Sequence, residues 1–317
     1  MIQKRAVDIL RRWALLIIIM ILGVLFTQFT PAFIKGINII NIIRQTAIMG
    51  ILAIGLTFVI VAGEMDLSFS MVASMSAVLT LLFSIQGMNA AVAWAIVLGL
   101  GFVMGALNAF VVVKMHIPSM LGTIGTQLLF GGIVAWIAQG GTIWTAKFSG
   151  LFTIPGRGTV LGIIPMPVVI LLVVAAIALV ILEKTVLGRY FYAVGGNAKA
   201  ADHAGINSSR IKMLAYLFMG VLGALAGIII GSQFASATPA VGTSYLFPAV
   251  IAVFLGSIFL KDGVPNLWGT LVASLFLNAL SNGFNLIGLK YWHENVTQGL
   301  IMVSAIGLMV LGKRRKK

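Results

Sequence analysis

The chain has 317 residues, 60% of them hydrophobic and 9% charged, with a mean hydropathy of +1.11. Globular chains carry roughly a quarter charged residues, so a water-soluble domain is excluded, and the absence of cysteine excludes disulfides, thiolate metal sites and cysteine nucleophiles. The net charge of +14 would suggest nucleic acid on a soluble protein. Here the basic residues sit in loops and at both termini, so membrane topology explains them and no nucleic-acid partner is expected.

Apolar runs long enough to cross about 30 Å of hydrocarbon recur along the whole length. They predict an all-α membrane protein with about ten spans, near 13–30, 40–62, 67–86, 91–113, 118–138, 166–183, 212–232, 247–260, 267–285 and 296–312. The N-terminal run lacks a small-residue cleavage site and reads as the first span rather than a removed signal peptide. Ten spans place both termini on one side. With that side cytoplasmic, 16 basic residues face inward (Lys4, Arg5, Arg11, Arg12, Lys114, Lys184, Arg189, Lys199, Arg210, Lys212, Lys261 and the run 313–317). Four, Lys35, Lys147, Arg157 and Lys290, face outward, and Arg44 at the start of the second span is not scored. This bias follows the positive-inside rule. The chain therefore reads as one transmembrane domain, 1–317, with a polar inner loop at 184–211 and a Gly-, Thr- and Pro-bearing outer loop at 139–165 that can pack over a pathway mouth. Five spans plus five would make the halves an inverted repeat, although no similarity between them is evident.

In chain order, the first polar feature is Glu64 and Asp66, between the second and third spans. Two readings stand. Either Asp66 caps the third span while Glu64 meets interfacial water, or the segment is a broken helix close to a pathway. No nucleophile or metal cluster accompanies the pair, and His116, His203 and His293 fall in separate loops. Gly101 and Gly105 in the fourth span, and Gly223, Gly227 and Gly231 in the seventh, form small-xxx-small steps. These are helix-packing surfaces, with a homodimer contact as one use. Trp13, Trp94, Trp136 and Trp292 lie near span ends, as interfacial anchors do. In the ninth span Asn278, Ser281, Asn282 and Asn285 fall on one helical face. That face meets protein or water, through interhelical hydrogen bonds or along a hydrophilic pathway. Asn108 and Gln127 are weaker candidates of the same kind. Carboxamides and hydroxyls both donate and accept, which suits a polyol.

In the inner loop, Asn197 is an N-cap for a short helix over 198–204, and Gly205 its C-terminal stop. A short Ala-rich helix on the cytoplasmic face suits docking into a groove on another protein. The competing reading is an ordinary solvated loop with one helical turn. There is no G-x-x-x-x-G-K-[ST] phosphate loop, so this chain does not hydrolyse ATP in that way.

The loop also carries a resemblance. Gly188-Arg189-Tyr190, Tyr192 to Asn197, Ala200-Ala201 and Gly205-Ile206-Asn207 are similar to the cytoplasmic loop of the ribose-type permeases of ATP-binding-cassette importers. That family also serves other monosaccharides, autoinducer-2 and branched-chain amino acids. Gly63-Glu64-Met65-Asp66-Leu67-Ser68 resembles its Gly-Gly-Ile-Asp-Leu-Ser segment, Gly122 to Thr126 its Thr-Leu-Gly-Thr stretch, and Asn282 to Gly288 its Asn-Gly-Leu-Asn-Leu-Leu-Gly segment. The likeness covers about 40–312. It implies a type II-importer-like permease in a bacterial inner membrane, with a second permease chain (identical or paralogous). It further implies cytoplasmic ATP-binding subunits that hold ATP and Mg, and a periplasmic solute-binding protein; this chain itself carries no cofactor. Asn197, Lys199, Ala200, Ala201, His203, Ala204 and Gly205 would couple to the ATPase. Asp66, Ser68, Asn108, Gln127, Asn278, Ser281, Asn282 and Asn285 are the pathway-lining candidates. Lys199 replaces the family's usual acidic residue, Tyr245 to Ala252 lacks two carboxylates of the ribose type, and Lys261-Asp262-Gly263 replaces a Gly-Gly pair. These departures put ribose itself in doubt. A self-contained secondary transporter, or a same-family permease for autoinducer-2, nucleosides or branched-chain amino acids, are the alternatives.

Overall fold

The computed structural model describes residues 2–146, 148, 150–260 and 263–314, without the side chains of 2–12, 14, 259, 260 and 308–314. Lys147, Lys261, Asp262 and 315–317 lie outside the described residues, as do the side chains of Lys4, Arg5, Arg11, Arg12, Lys313 and Arg314. The helices are α1 (Ile2–Phe29), α2 (Gly36–Val61), α3 (Phe69–Ile85), α4 (Ala90–Ala109), α5 (Ser119–Ile137), α6 (Ile154–Arg157), α7 (Met166–Leu179), α8 (Val186–Gly196), α9 (Ala198–His203), α10 (Ser208–Phe234), α11 (Leu246–Leu260), α12 (Leu267–Leu286) and α13 (Tyr291–Arg314). α4 and α7 each run into a π-helical turn, Phe110–Lys114 and Val180–Lys184. Among the described residues there are also 3₁₀ turns at Gly150–Thr153 and Val241–Tyr245 and four two-residue strands: β1 (Ile143–Trp144), β2 (Thr159–Val160), β3 (Ile164–Pro165) and β4 (Ser236–Ala237).

Each of the ten apolar segments is covered by a helix. Among the described residues six stretches are long and apolar enough to cross a membrane: Gly36–Val61, Ala90–Lys114, Ser119–Ile137, Met166–Lys184, Ser208–Phe234 and Val241–Ile258. Leu15–Phe29 and Phe69–Ile85 are shorter apolar helices. The helix ends differ from the hydropathy bounds. α1 begins eleven residues before the predicted start at 13, and α13 begins at Tyr291 rather than 296. Hydropathy marks where a helix is apolar; the backbone ladder continues through polar turns beyond it. Trp136 and Trp292 are exposed near helix ends; Trp13 is exposed too, but α1 continues for more than two turns on its N-terminal side, and Trp94 is half-buried.

The chain divides into two compact units, 1–53 with 247–317, and 54–246. In the first, α1 packs on α12 where Gly283 makes room for the Phe26 ring; a Cβ there would overlap it. Phe26 also meets Phe33 and Phe284, with centroids 5.2 and 6.0 Å apart. Asn266 caps α12 through Gly269 N (2.8 Å), and the backbones of Gly256 and Gly269 touch where α11 meets α12.

In the second unit α10 lies against α3 and α4. Gly101 of α4 leaves space taken by Ala224 and the Gly220 carbonyl, and Gly105 leaves space taken by the Tyr216 carbonyl. Gly223, Gly227 and Gly231 face Val72, Ala73 with Ser76, and Ala77 of α3. The five predicted packing glycines are therefore all at helix contacts, α4 on one side of α10 and α3 on the other. Gly220, outside any predicted step, takes part as well, because the crossing of α4 over α10 selects it. The loop 139–165 is fastened to the end of α10. β1 pairs antiparallel with β4, Ile143 opposite Ala237, Gly156 N donates to Ser232 Oγ (3.0 Å), and Arg157 Nε donates to the Gln233 carbonyl (2.9 Å).

Candidate functional site

The polar loop after α7 is more ordered than its composition suggests. Thr185 caps α8, accepting from Gly188 N at 3.3 Å. Gly188, Phe191 and Val194 form the buried side of α8. That i, i+3, i+6 spacing is an amphipathic signal for α8 already present in the sequence. Phe191 packs with Phe58 and Phe218 at centroid distances of 5.4 and 6.4 Å. The next helix, α9, follows at once. Asn197 Oδ1 accepts from Ala200 N at 3.0 Å, and Gly205, at φ +83°, ends the helix in the left-handed conformation that glycine adopts without steric cost.

α9 presents Lys199, Ala200, Asp202, His203 and Ala204 as exposed residues, flanked by exposed Asn197 and Gly205. Ala201 is a correction: it is 5% exposed. Its methyl group faces its own chain, so it seats α9 rather than meeting a partner directly. Asp202 fastens the far end of α9, its two carboxylate oxygens accepting from Ser208 N (2.9 Å) and Ser208 Oγ (2.8 Å). These bonds hold its carboxyl below the ordinary carboxylate range.

The Gly63–Ser68 segment lies near this loop in the fold. Glu64 is ion-paired, its Oε1 2.6 Å from Lys212 Nζ. Asp66 does serve the start of α3: Ser68, directly before Phe69, is αR and makes no side-chain cap bond, and the Asp66 carboxylate accepts from the Ser68 backbone N–H instead. Asp66 Oδ1 accepts from both Ser68 N and Ser68 Oγ at 2.8 Å. Asn108 Nδ2 then donates to Ser68 Oγ (2.6 Å) and Asp66 Oδ2 (3.4 Å), and Asn108 Oδ1 accepts from Thr126 Oγ1 at 2.6 Å. Asp66, Ser68, Asn108 and Thr126 are all buried. A buried carboxylate persists only with such partners. Gln127, one residue beyond Thr126, donates to Ser70 Oγ at 3.3 Å. Four of the pathway candidates, Asp66, Ser68, Asn108 and Gln127, thus come to one region, and three of them form a closed network. Their hydrogen-bonding capacity is spent on one another rather than aimed at a cavity.

The ninth-span face behaves differently. Asn282 exchanges amide hydrogen bonds with Asn38 of α2 at 2.8 and 2.9 Å. Asn278 Nδ2 donates to the Ser274 carbonyl, and exposed Asn285 donates to the Ser281 carbonyl, both within α12. Asn278 Nδ2 also donates to Met49 Sδ of α2 at 2.9 Å, so two of the three amides bond across to α2 and Asn285 bonds within its own helix. The cavity of about 370 Å³ between α4, α7 and α10, lined by Phe58, Phe102, Ile177, Phe218 and other apolar residues, includes none of the candidates and offers no match to a polyol.

The comparisons with known proteins fit this arrangement. The family model for the branched-chain amino acid transport system / permease component matches residues 38–306. The ribose import permease protein RbsC of Bacillus subtilis is 36% identical over 286 residues, covering 90% of this chain and 88% of the relative. A probable ABC transporter permease protein, YphD of Escherichia coli K12, is 32% identical over 302 residues (95% and 90%). The xylose transport system permease protein XylH of Haemophilus influenzae is 26% identical over 368 residues (96% and 98%). No solved structure matches the chain. The chain is a multi-pass membrane protein, and it belongs to the family of branched-chain amino acid transport system permease components.

Proposed function

We propose that this chain is the membrane-spanning subunit of an ATP-driven importer that carries a monosaccharide or a related small polar solute inward by alternating access. The observation that carries the reading is α9, a capped helix whose exposed face is presented between α8 and α10 in a chain whose relatives are named as ribose, xylose and ABC transporter permeases. Ten spans with both termini cytoplasmic, in a bacterial inner membrane, put this helix where ATP-binding subunits dock; the basic-residue bias supports that orientation. ATP and Mg belong to those subunits. A second permease chain, identical or paralogous, completes the pathway, and a periplasmic binding protein delivers the solute. Ser281 and exposed Asn285 of α12 are the polar residues best suited to brush a polyol, because Asn108, Asp66 and Ser68 are buried and bonded to one another. Glu64 is held by Lys212 and Asp66 by Ser68 and Asn108, so neither carboxylate is a free Na⁺ ligand of the kind a secondary transporter would need.

The test is uptake into proteoliposomes by the chain alone and by the chain with its ATPase subunit and binding protein, using labelled pentoses and hexoses. Uptake that requires ATP and both partners is the expected result. Accumulation by the chain alone in a proton or sodium gradient would overturn the reading.

A further inference from the structure

The geometry points to Gly63–Ser68 as a transmission segment, through which displacement of α9 reaches α4 and α5, with the Glu64–Lys212 ion pair as its positioning contact. This rests on the reading of α9 as the ATPase-docking helix. α9 is too short to hold a position by itself. Its flanks hold it, and both flanks end on the same few residues.

On one flank, Asp202 binds the first turn of α10 through Ser208. One turn further, Lys212 pairs with Glu64 (2.6 Å), and the next turn brings Tyr216 Oη to the Met65 carbonyl, donating at 3.1 Å. On the other flank, Asn197 N donates to the Ala193 carbonyl of α8 (3.1 Å). The end of α8 lies with Gly195 against Val61 and Gly63, so closely that a Cβ on Gly195 would overlap the Val61 carbonyl oxygen. Gly63 has φ +82°, so this contact is backbone on backbone and leaves no side chain to yield.

The segment is not helical, and two of its backbone N–H groups go outward to α5 while those of Gly63 and Glu64 bond back to α2. Met65 N donates to Ser119 Oγ and Leu67 N to Thr123 Oγ1, each at 3.2 Å. Asp66 completes the link to α4 through Asn108, and Asn108 to α5 through Thr126. A close-packed segment with its polar groups bound on both sides transmits a displacement rather than absorbing it. The Glu64 and Lys212 side chains are 11% and 26% exposed. Their pair is reachable by substitution without opening the buried Asp66 network.

The experiment uses the full chain with its ATPase subunit and binding protein in proteoliposomes, reading three quantities: ATPase subunit retained, ATP hydrolysed, and solute taken up. Glu64→Gln is expected to lower solute taken up per ATP hydrolysed about tenfold, with the ATPase subunit retained and the melting temperature unchanged. The exchange Glu64→Lys/Lys212→Glu is expected to restore it. The chain has no native cysteine, so Glu64→Cys/Lys212→Cys provides a second variant, uncoupled when reduced and recoupled by a short bifunctional thiol reagent. Normal coupling in Glu64→Gln overturns the proposal. A loss of uptake that only tracks loss of the ATPase subunit or of the melting transition overturns it too, as does failure of both restorations. If wild-type chain retains no ATPase subunit, the docking reading itself falls, and this inference with it; that outcome is visible before any variant is made.

Discussion

Asn108→Ala is the sharpest test of the buried network. Asn108 is 1% exposed and makes three hydrogen bonds: to Ser68 Oγ (2.6 Å), to Asp66 Oδ2 (3.4 Å) and from Thr126 Oγ1 (2.6 Å). After truncation Ser68 still donates to Asp66 Oδ1, and Thr126 still donates to the Thr123 carbonyl. Asp66 Oδ2 loses its Asn108 donor, and a small void remains. Two neutral hydrogen bonds at about 1 kcal/mol each, plus a long one to a carboxylate at a similar value, give a loss of about 3 kcal/mol. Gln127→Ala, one residue along α5 from Thr126, is the control, with one 3.3 Å bond from a half-buried amide to Ser70 Oγ of α3, worth about 0.5 kcal/mol. The assay is thermal unfolding of the purified protein in detergent. At about 3 °C per kcal/mol, the two variants fall roughly 9 °C and 1–2 °C below wild type. Equal shifts, or a shift under about 3 °C for Asn108→Ala, would refute the argument that the carboxylate depends on this amide.

Other outcomes follow from the same geometry. Gly105→Val places a Cβ on the Tyr216 carbonyl and within 3.2 Å of Leu217 Cα, forcing α4 off α10 at a cost of about 3 kcal/mol; Gly99→Ala meets nothing within 4 Å and is neutral or stabilising by about 0.5 kcal/mol. Folded yield in the membrane separates the two. Asn197→Ala removes the cap of α9 at about 1 kcal/mol, roughly a fivefold loss in affinity for the ATPase subunit, measured by titrating that subunit onto proteoliposomes. Asp202 has a folded pKa depressed by its Ser208 bonds. The tie between α9 and α10 is therefore fully present above the ordinary carboxylate range and is lost as pH falls through the lowered value. Subunit association should accordingly hold at neutral and mildly acidic pH, and Asp202→Asn should weaken it equally at all of these.

Much of the molecule is written in local chemistry. Apolar runs specify helices because the backbone must satisfy itself in hydrocarbon, so all ten segments are helical. Asn197 and Gly205 bound α9 because a cap acts within three residues of itself. The glycine steps at 101–105 and 223–231 announce close helix contacts because only small residues permit them. None of these requires knowing where the rest of the chain lies.

The tertiary structure decided what depends on partners distant in sequence. Asp66 finds Asn108 and Thr126, Glu64 finds Lys212, and Gly195 meets Gly63 only because α10 and α8 come to one place. No local pattern encodes a helix crossing, which is why Gly220 lies outside the predicted glycine steps and Ala201, a coupling residue by resemblance, faces its own chain. The sequence alone established a membrane permease with a capped inner-loop helix. The packing decided that this helix is anchored, on both sides, to a short irregular segment whose polar groups are already bound.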